Sequence, residues 1–276
     1  MEINGLLEKL KVNEVDIISS VAESKDSSVW KVVLKEGSVL AVRISEKENL
    51  NRFKREEAIM KYVRKMGIPC PLVYRVENVA QHSIMLMEWV EGKTVFHHLL
   101  ERPQESFGFG VKFGVMQAML HNLPVHDFPY HISENWLKPK SDIEEELLSK
   151  CHNEKHSLLH LDYHPLNVLI NVDGVIDWAN CSYGDYHLDL ARTLSILEIQ
   201  GSQFFSDTTI STFIKGWYKG YRSKREDVGD LSPYVAWAGE RMKFDMGSQL
   251  DEKGKREIDD WVRNRTMMIR SAEIGF

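Results

Sequence analysis

Three observations predict an α+β chain of two lobes, an antiparallel-sheet lobe carrying one helix and a larger, mostly helical lobe. The chain has 276 residues, 43% of them apolar, a length at which two modest cores are more natural than one. Its β-branched runs are concentrated in the first third. Helical spacing dominates afterwards, apart from short extended segments near 158–170 and 175–178. The composition shifts near residues 88–93, which divides the chain into lobes 1–90 and 91–276.

The elements of the first lobe follow from local pattern. Val29–Leu34 and Val39–Ile44 are strand runs joined by Lys35-Glu36-Gly37-Ser38, a plausible hairpin turn. A charged helix follows over about Glu48–Met66, stopped by Gly67 and Pro69. Ser83–Val90 is a short apolar strand running into Glu91-Gly92. Strand alternation puts Val39, Ala41 and Arg43 on one face and Leu40, Val42 and Ile44 on the other. In the helix, Leu50, Phe53, Ile59, Met60, Val63 and Met66 share one apolar face with Glu56 near its middle. A carboxylate aimed at a core needs a partner. Arg43 is the partner expected for Glu56.

Composition excludes several classes of function. Lys plus Arg number 35 against 41 Asp plus Glu, a formal charge of −6, whereas a nucleic-acid binder normally carries a basic excess. No apolar run approaches the ~20 residues of a membrane span. The opening MEINGLLEKLKVNEVD mixes charges into its apolar positions, unlike a signal peptide. Cys70, Cys151 and Cys181 are three cysteines without a CxxC, so neither a disulfide framework nor a zinc knuckle is indicated. The expectation is a cytoplasmic protein with no nucleic-acid or membrane partner.

Chemistry concentrates in His160-Leu161-Asp162-Tyr163-His164-Pro165-Leu166-Asn167, followed by Val175-Ile176-Asp177-Trp178. Asn171-Val172-Asp173-Gly174 looks like a hairpin turn that would lay Asn167 and Asp177 side by side. Phosphoryl transfer from a nucleotide needs such a set. One carboxylate orients the attacking hydroxyl and accepts its proton. An amide oxygen and a second carboxylate hold Mg²⁺ against the phosphates, since hard cations prefer oxygen. H-x-D-x-x-x-x-N followed by Asp is also the spacing of the catalytic and metal-binding elements of protein kinases. Two other readings are a metal cluster of His160, Asp162 and His164, serving a hydrolytic metalloenzyme, and a turn held by side-chain hydrogen bonds. Neither requires Asn167 or Asp177, and Pro165 breaks the strand a three-ligand face would need.

HLDYHPLNVLI…VIDWANCSYGDYHLDLA resembles the signature of the aminoglycoside phosphotransferase-like kinases. Its usual form is close to H-G-D-x-x-x-x-N…I-D-W…G-D-x-x-x-D-L-A. The resemblance is strongest over residues 158–192. It implies a bilobal, protein-kinase-like fold and transfer of the γ-phosphoryl of ATP or GTP to a small-molecule hydroxyl. By the same resemblance Asp162 is the catalytic base, Asn167 and Asp177 bind Mg²⁺, and Asp189 braces the catalytic loop. Ala41-Val42-Arg43 resembles the A-x-K of a kinase third strand, with arginine for lysine. Arg43 and Glu56 would serve the nucleotide phosphates, with Ser27 from the glycine-free turn Glu23–Ser28. Main-chain groups of Glu88 and Val90 would meet the adenine.

Only eleven residues separate Asp177 from Asp189, too few for the docking segment of a protein-directed kinase. A small amine-bearing acceptor is expected instead, an aminoglycoside, a macrolide or a related metabolite, drawn by Glu198, Glu240 and Asp245 and lined by Trp237, Phe244 and Met246. The alternatives are a choline or amino-alcohol kinase and a catalytically silent nucleotide-binding pseudokinase. The His152/His156/His160 spacing, His97-His98 and the aromatic segment Trp217–Tyr221 are read as surface or packing rather than as sites.

Overall fold

In a computed structural model, the residues described are 3–23, 27–128, 136–151, 156–170, 174–225, 228 and 230–273. Two compact units emerge, one spanning Met1–Gly92 and the other formed by Lys93–Tyr130 with Glu134–Phe276.

The first unit holds α1 (Ile3–Lys9), β1 (Val15–Glu23), β2 (Ser27–Leu34), β3 (Val39–Glu46), α2 (Leu50–Lys65), β4 (Val73–Val79) and β5 (His82–Glu88). The strands form one antiparallel sheet in the order β1-β2-β3-β5-β4. Val33 pairs with Val39 across the β2–β3 turn, where Gly37 takes φ 92°, a conformation open to glycine at no steric cost. Period-two alternation sends Val42 to the face where it packs with Val32, Ile84, Leu86 and the leucines Leu6, Leu7 and Leu10. That sheet face is therefore closed by α1 and the residue following it. Each such buried leucine contributes ~1.5–3 kcal/mol.

A turn of 3₁₀ helix, Lys47–Asn49, leads into α2, which buries Phe53, Glu56, Ile59, Met60, Tyr62 and Val63. Its end is set by Gly67 at φ 85°. Gly67 N–H donates to Arg64 O and Ile68 N–H to Val63 O, the paired closing bonds of a glycine-capped helix, with Pro69 preventing continuation.

The second unit holds α3 (Val95–Glu101), α4 (Ser106–His121), α5 (Asp142–Ser149), β6 (His156–Leu159), β7 (Val168–Leu169), β8 (Gly174–Val175), β9 (Ser182–Asp185), α6 (Tyr186–Ser195), α7 (Asp207–Arg222), α8 (Ser232–Met246) and α9 (Glu252–Glu273). β6 pairs with β9 and β7 with β8, both antiparallel. The helical core rests on an unusually close crossing of α4 and α7. A Cβ added to Gly114 would lie 2.0 Å from Trp217 O, and one added to Gly220 would lie 2.0 Å from Val111 O. Only hydrogen fits there. Trp217 and Tyr221 are wholly buried in this crossing, so the aromatic segment is core. No helix among the described residues is long and apolar enough to cross a membrane.

Candidate active site

β6 delivers the chain into the loop His160–Asn167, and the short β7–β8 ladder returns it to Asp177. Ile176 N–H donates to Asn167 O at 3.0 Å, and Val168 pairs with Val175. Asn167 and Asp177 thus sit at adjacent ends of paired strands. The turn residues Asn171–Asp173 lie outside the described residues. Asn167 Nδ2 donates to Asp162 O at 3.0 Å and approaches Asp162 Oδ2 at 3.4 Å and His164 Nε2 at 3.2 Å. These acceptors fix the amide's orientation and direct Oδ1 away from them. Asp177 has φ 60°, a left-handed conformation that aspartate tolerates better than most residues and that concentrates at functional sites.

His160 is turned inward. Its Nε2 donates to Ile176 O at 3.1 Å while Nδ1 accepts from Asp162 N–H at 3.3 Å, which defines the neutral tautomer. Burial lowers its pKa. The ring ties the Asp162 arm to the Asp177 arm and has no nitrogen left for a metal. Among the described residues no group of three or more His, Cys, Asp or Glu could hold a metal ion, which removes the His160/Asp162/His164 cluster reading.

Asp189 meets the loop from α6. Its Oδ1 accepts from Leu161 N–H at 2.5 Å. Leu161 stands where the resembling motif has glycine, and its φ is 64°. A leucine in this region costs roughly 1–2 kcal/mol, offset by its complete burial and by the charged hydrogen bond. Asp189 Oδ2 in turn accepts from His121 Nε2 at 2.9 Å and Gln117 Nε2 at 3.1 Å, both on α4. His121 Nδ1 accepts from Tyr221 O–H at 2.7 Å, and Gln117 Oε1 accepts from Trp217 Nε1 at 2.7 Å, both on α7. Gly110, Gly114, Gln117 and His121 recur at spacings of four, three and four along one face of α4. The glycines bring the helices together, and the polar pair on the same stripe uses that proximity to hold Asp189. Burial keeps His121 neutral by lowering its pKa. For Asp189 burial opposes the charge, but the His121 and Gln117 bonds prevail and hold its carboxyl below the ordinary range. Sequence reasoning did not find His121, Gln117 or Tyr221; the glycine-spaced polar stripe was the available signal.

Asp162 itself remains partly open, its side chain 28% exposed. Burial works against its ionisation. His164, with Nε2 3.6 Å from Oδ1, outweighs burial with help from Arg192 and His160, and the carboxyl is held at about 2. Arg192 also donates to Asp245 Oδ2 at 2.5 Å.

In the first unit, Arg43 Nη1 lies 3.0 Å from both Glu56 oxygens, the pairing that the phase of α2 requires. Both side chains are largely buried, at 11% and 4% exposure. Arg43 Nε donates to Ser27 Oγ at 3.2 Å, which places Ser27 at the start of β2, beside the arginine. Ser24–Asp26 of the expected phosphate turn lie outside the described residues. Glu88 N–H is engaged by Leu72 O at 2.8 Å, and its side chain accepts from Leu72 N–H. Val90 follows in irregular chain.

The residues expected to attract and line an amine-bearing acceptor are not arranged that way. Glu198 is bound by Arg265 and by Trp261 Nε1, Glu240 by Lys243, and Asp245 by Arg192. Each carboxylate already has its cation. Trp237 is fully buried and Phe244 is 55% exposed, while Met246 packs against the small cluster of Ile196, Met242 and Ile258.

A five-stranded sheet unit with a buried Arg–Glu pair, joined to a helical unit with an Asp–Asn–Asp loop, defines a protein-kinase-like fold. Residues 18–226 match the phosphotransferase enzyme family, APH, and the chain belongs to that family. Solved structures share the fold at low identity. Amicoumacin kinase hAmiN, in complex with AMP-PNP, Ca²⁺ and Ami, aligns with TM-score 0.66 and 16% identity over 99% of this chain and 94% of that one. Aminoglycoside-3'-phosphotransferase of type VIII aligns with TM-score 0.62 and 18% identity over 85% and 97%. A putative fructosamine-3-kinase from Haemophilus somnus 129PT aligns with TM-score 0.57 and 19% identity over 93% and 95%. No curated protein matches the chain in sequence.

Proposed function

We propose that this protein transfers the γ-phosphoryl group of ATP or GTP to a hydroxyl of a small molecule, with an antibiotic or a related metabolite as acceptor. The observation that carries the reading is the Asp162–Asn167–Asp177 arrangement, in which the Asn167 side-chain amide donates to the backbone carbonyl of Asp162 and the Asn167 backbone carbonyl accepts from Ile176, next to Asp177.

In this reading Asp162 orients the acceptor hydroxyl and takes its proton. The acceptor oxygen forms a bond to γ-phosphorus as the bridging P–O bond breaks, and the bond pair leaves with the nucleoside diphosphate. A carboxyl held at about 2 is a weak base. Its contribution is to hold the hydroxyl in line and to receive the proton once the new bond is well advanced, as a loose transition state permits. Asn167 Oδ1 and the Asp177 carboxylate are hard oxygen donors, a pair that suits Mg²⁺ completed by phosphates and water. When bound, that ion supplies neutralisation of the charge on the phosphates. Arg43, braced by Glu56 and Ser27, presents a fixed cation to phosphate oxygens. Glu88 O and the main chain at Val90 serve the nucleobase, since Glu88 N–H is already used.

The test is a nucleotide-consumption screen over aminoglycosides, macrolides and amino alcohols, with Asp162→Ala as control. Acceptor-dependent consumption that the variant loses supports the reading. Full turnover by Asp162→Ala refutes the assignment of the base.

A further inference from the structure

Beside the loop that carries Asp162, α6 continues as a turn of π-helix, Ile196–Gln200, a feature frequent at functional sites. It borders a cavity with about 610 Å³ of free space, the open solvent at its mouth included. Phe96, Leu197, Phe205, Ile210 and Phe213 are among the residues of its wall, and among the described residues the polar side chains there are His164, Gln200 and Thr209. Among the described residues no carboxylate lines it. Leu166 and Phe204 also border it and are 45% and 59% exposed, more apolar surface than a single exposed side chain would present.

His164 connects this space to the reaction. The same imidazole that borders the cavity lies 3.6 Å from Asp162 Oδ1 and 3.2 Å from Asn167 Nδ2. A molecule with its apolar part in the cavity need only extend past one imidazole ring to bring a hydroxyl to Asp162. The carboxylates that could have recruited a polycation, Glu198, Glu240 and Asp245, are all paired internally.

We propose that this cavity holds the apolar part of the acceptor, so that the substrate is an amphiphilic alcohol, an apolar ring or chain joined to a hydroxyl-bearing group. The inference rests on the phosphotransferase reading above for the identity of the bound molecule as acceptor.

Gly201 lies on the wall in ordinary helical geometry, φ −62°. A Cβ added there meets only Ile196 O and Ile210 Cδ1, each at 3.8 Å. Position 201 therefore accepts a Cβ without a clash, Gly201→Phe introduces a ring at the cavity wall, and Phe204→Asp places a charge at the exposed rim. The probes are octyl β-D-glucoside, below its micellar concentration, and methyl β-D-glucoside, titrated calorimetrically at several temperatures. The wild type is expected to bind the octyl compound at least tenfold more tightly than the methyl one, with a negative heat-capacity change. Both variants are expected to weaken octyl binding at least tenfold while the Kd for Mg·ATP stays within twofold. Equal binding of the two glucosides, or octyl binding unchanged in both variants, overturns the inference. Binding is read without turnover. A protein that transfers no phosphoryl group can still pass this test, and one that transfers normally can fail it, so the two readings fall separately.

Discussion

Replacing Gly114 by alanine forces α4 and α7 apart and so reaches the Asp162 loop through Asp189. The new Cβ would sit 2.0 Å from the Trp217 carbonyl oxygen, a backbone atom that no rotamer change can remove. Reaching ordinary contact requires the helices to separate by about 1.4 Å. That displacement carries the Gln117–Trp217 and His121–Tyr221 bonds, both 2.7 Å, beyond hydrogen-bonding range. Overpacking costs ~1–3 kcal/mol and the two bonds about 1 kcal/mol each. Alanine's better helix propensity returns ~1 kcal/mol. The net loss is on the order of 2–4 kcal/mol, or roughly 5–15 °C in Tm for a chain of this size. Gly108→Ala is the control, since an added Cβ there meets nothing within 4 Å on the same helix. It should melt at or slightly above the wild-type temperature. Scanning calorimetry on both variants decides the matter. If Gly114→Ala melts within about 2 °C of Gly108→Ala, the close crossing does not hold the brace together.

Other perturbations act on separate parts of the account. Glu56→Ala removes the carboxylate partner of a guanidinium that is only 11% exposed, and urea denaturation should show a loss of about 3 kcal/mol, with Glu56→Gln losing less. His121 and His160 are buried with pKa values below the ordinary 6.5, so the unfolded chain binds more protons than the native one just below pH 6.5. Stability should therefore fall as pH drops from 7 toward 5, by up to about 1.4 kcal/mol per pH unit for each histidine; a flat urea midpoint across that range would contradict their neutral state. His164→Leu removes the neighbour that lowers Asp162, and carboxyl-carbon NMR should show Asp162 titrating above about 2 in the variant. Because that carboxyl is depressed in the wild type, its share of stability is present above the unfolded pKa near 4 and is lost as pH falls toward 2.

What the sequence revealed was set by short-range pattern. Asp162, Asn167 and Asp177 stand at fixed spacing within sixteen positions, and a single hairpin brings them together. The Arg43–Glu56 contact could be inferred because a strand and a helix each have a definite period, and only one face of each can meet. The bracing of Asp189 could not be read in the same way. Its partners Gln117 and His121 lie 72 and 68 residues away, and their role depends on a helix crossing that only Gly110 and Gly114 on α4 and Gly216 and Gly220 on α7 foreshadow. The acidic acceptor site failed for a related reason. Asp245 meets Arg192 and Glu198 meets Arg265 across 53 and 67 residues, so local reading counted carboxylates without their cations. Glu240 and Lys243 are one helical turn apart, and that pairing was visible in principle. α1 escaped notice because seven residues, Ile3–Lys9, carry too few turns for periodicity to separate from chance. The cavity beside His164 is assembled from α3, the loop, the π-helical turn and α7, and no segment of sequence contains its shape.

The central claim is that Asp162 acts on the acceptor hydroxyl while other groups hold the nucleotide. The most direct measurement compares wild type with Asp162→Asn, reading phosphorylated acceptor by mass spectrometry and Mg·ATP affinity by calorimetry on the same preparations. The amide keeps the shape of the carboxylate and loses its ability to take a proton. Phosphorylation of the acceptor should fall by about 10²–10⁴-fold, with the Mg·ATP Kd changed less than about threefold. Undiminished phosphorylation by Asp162→Asn would contradict the account.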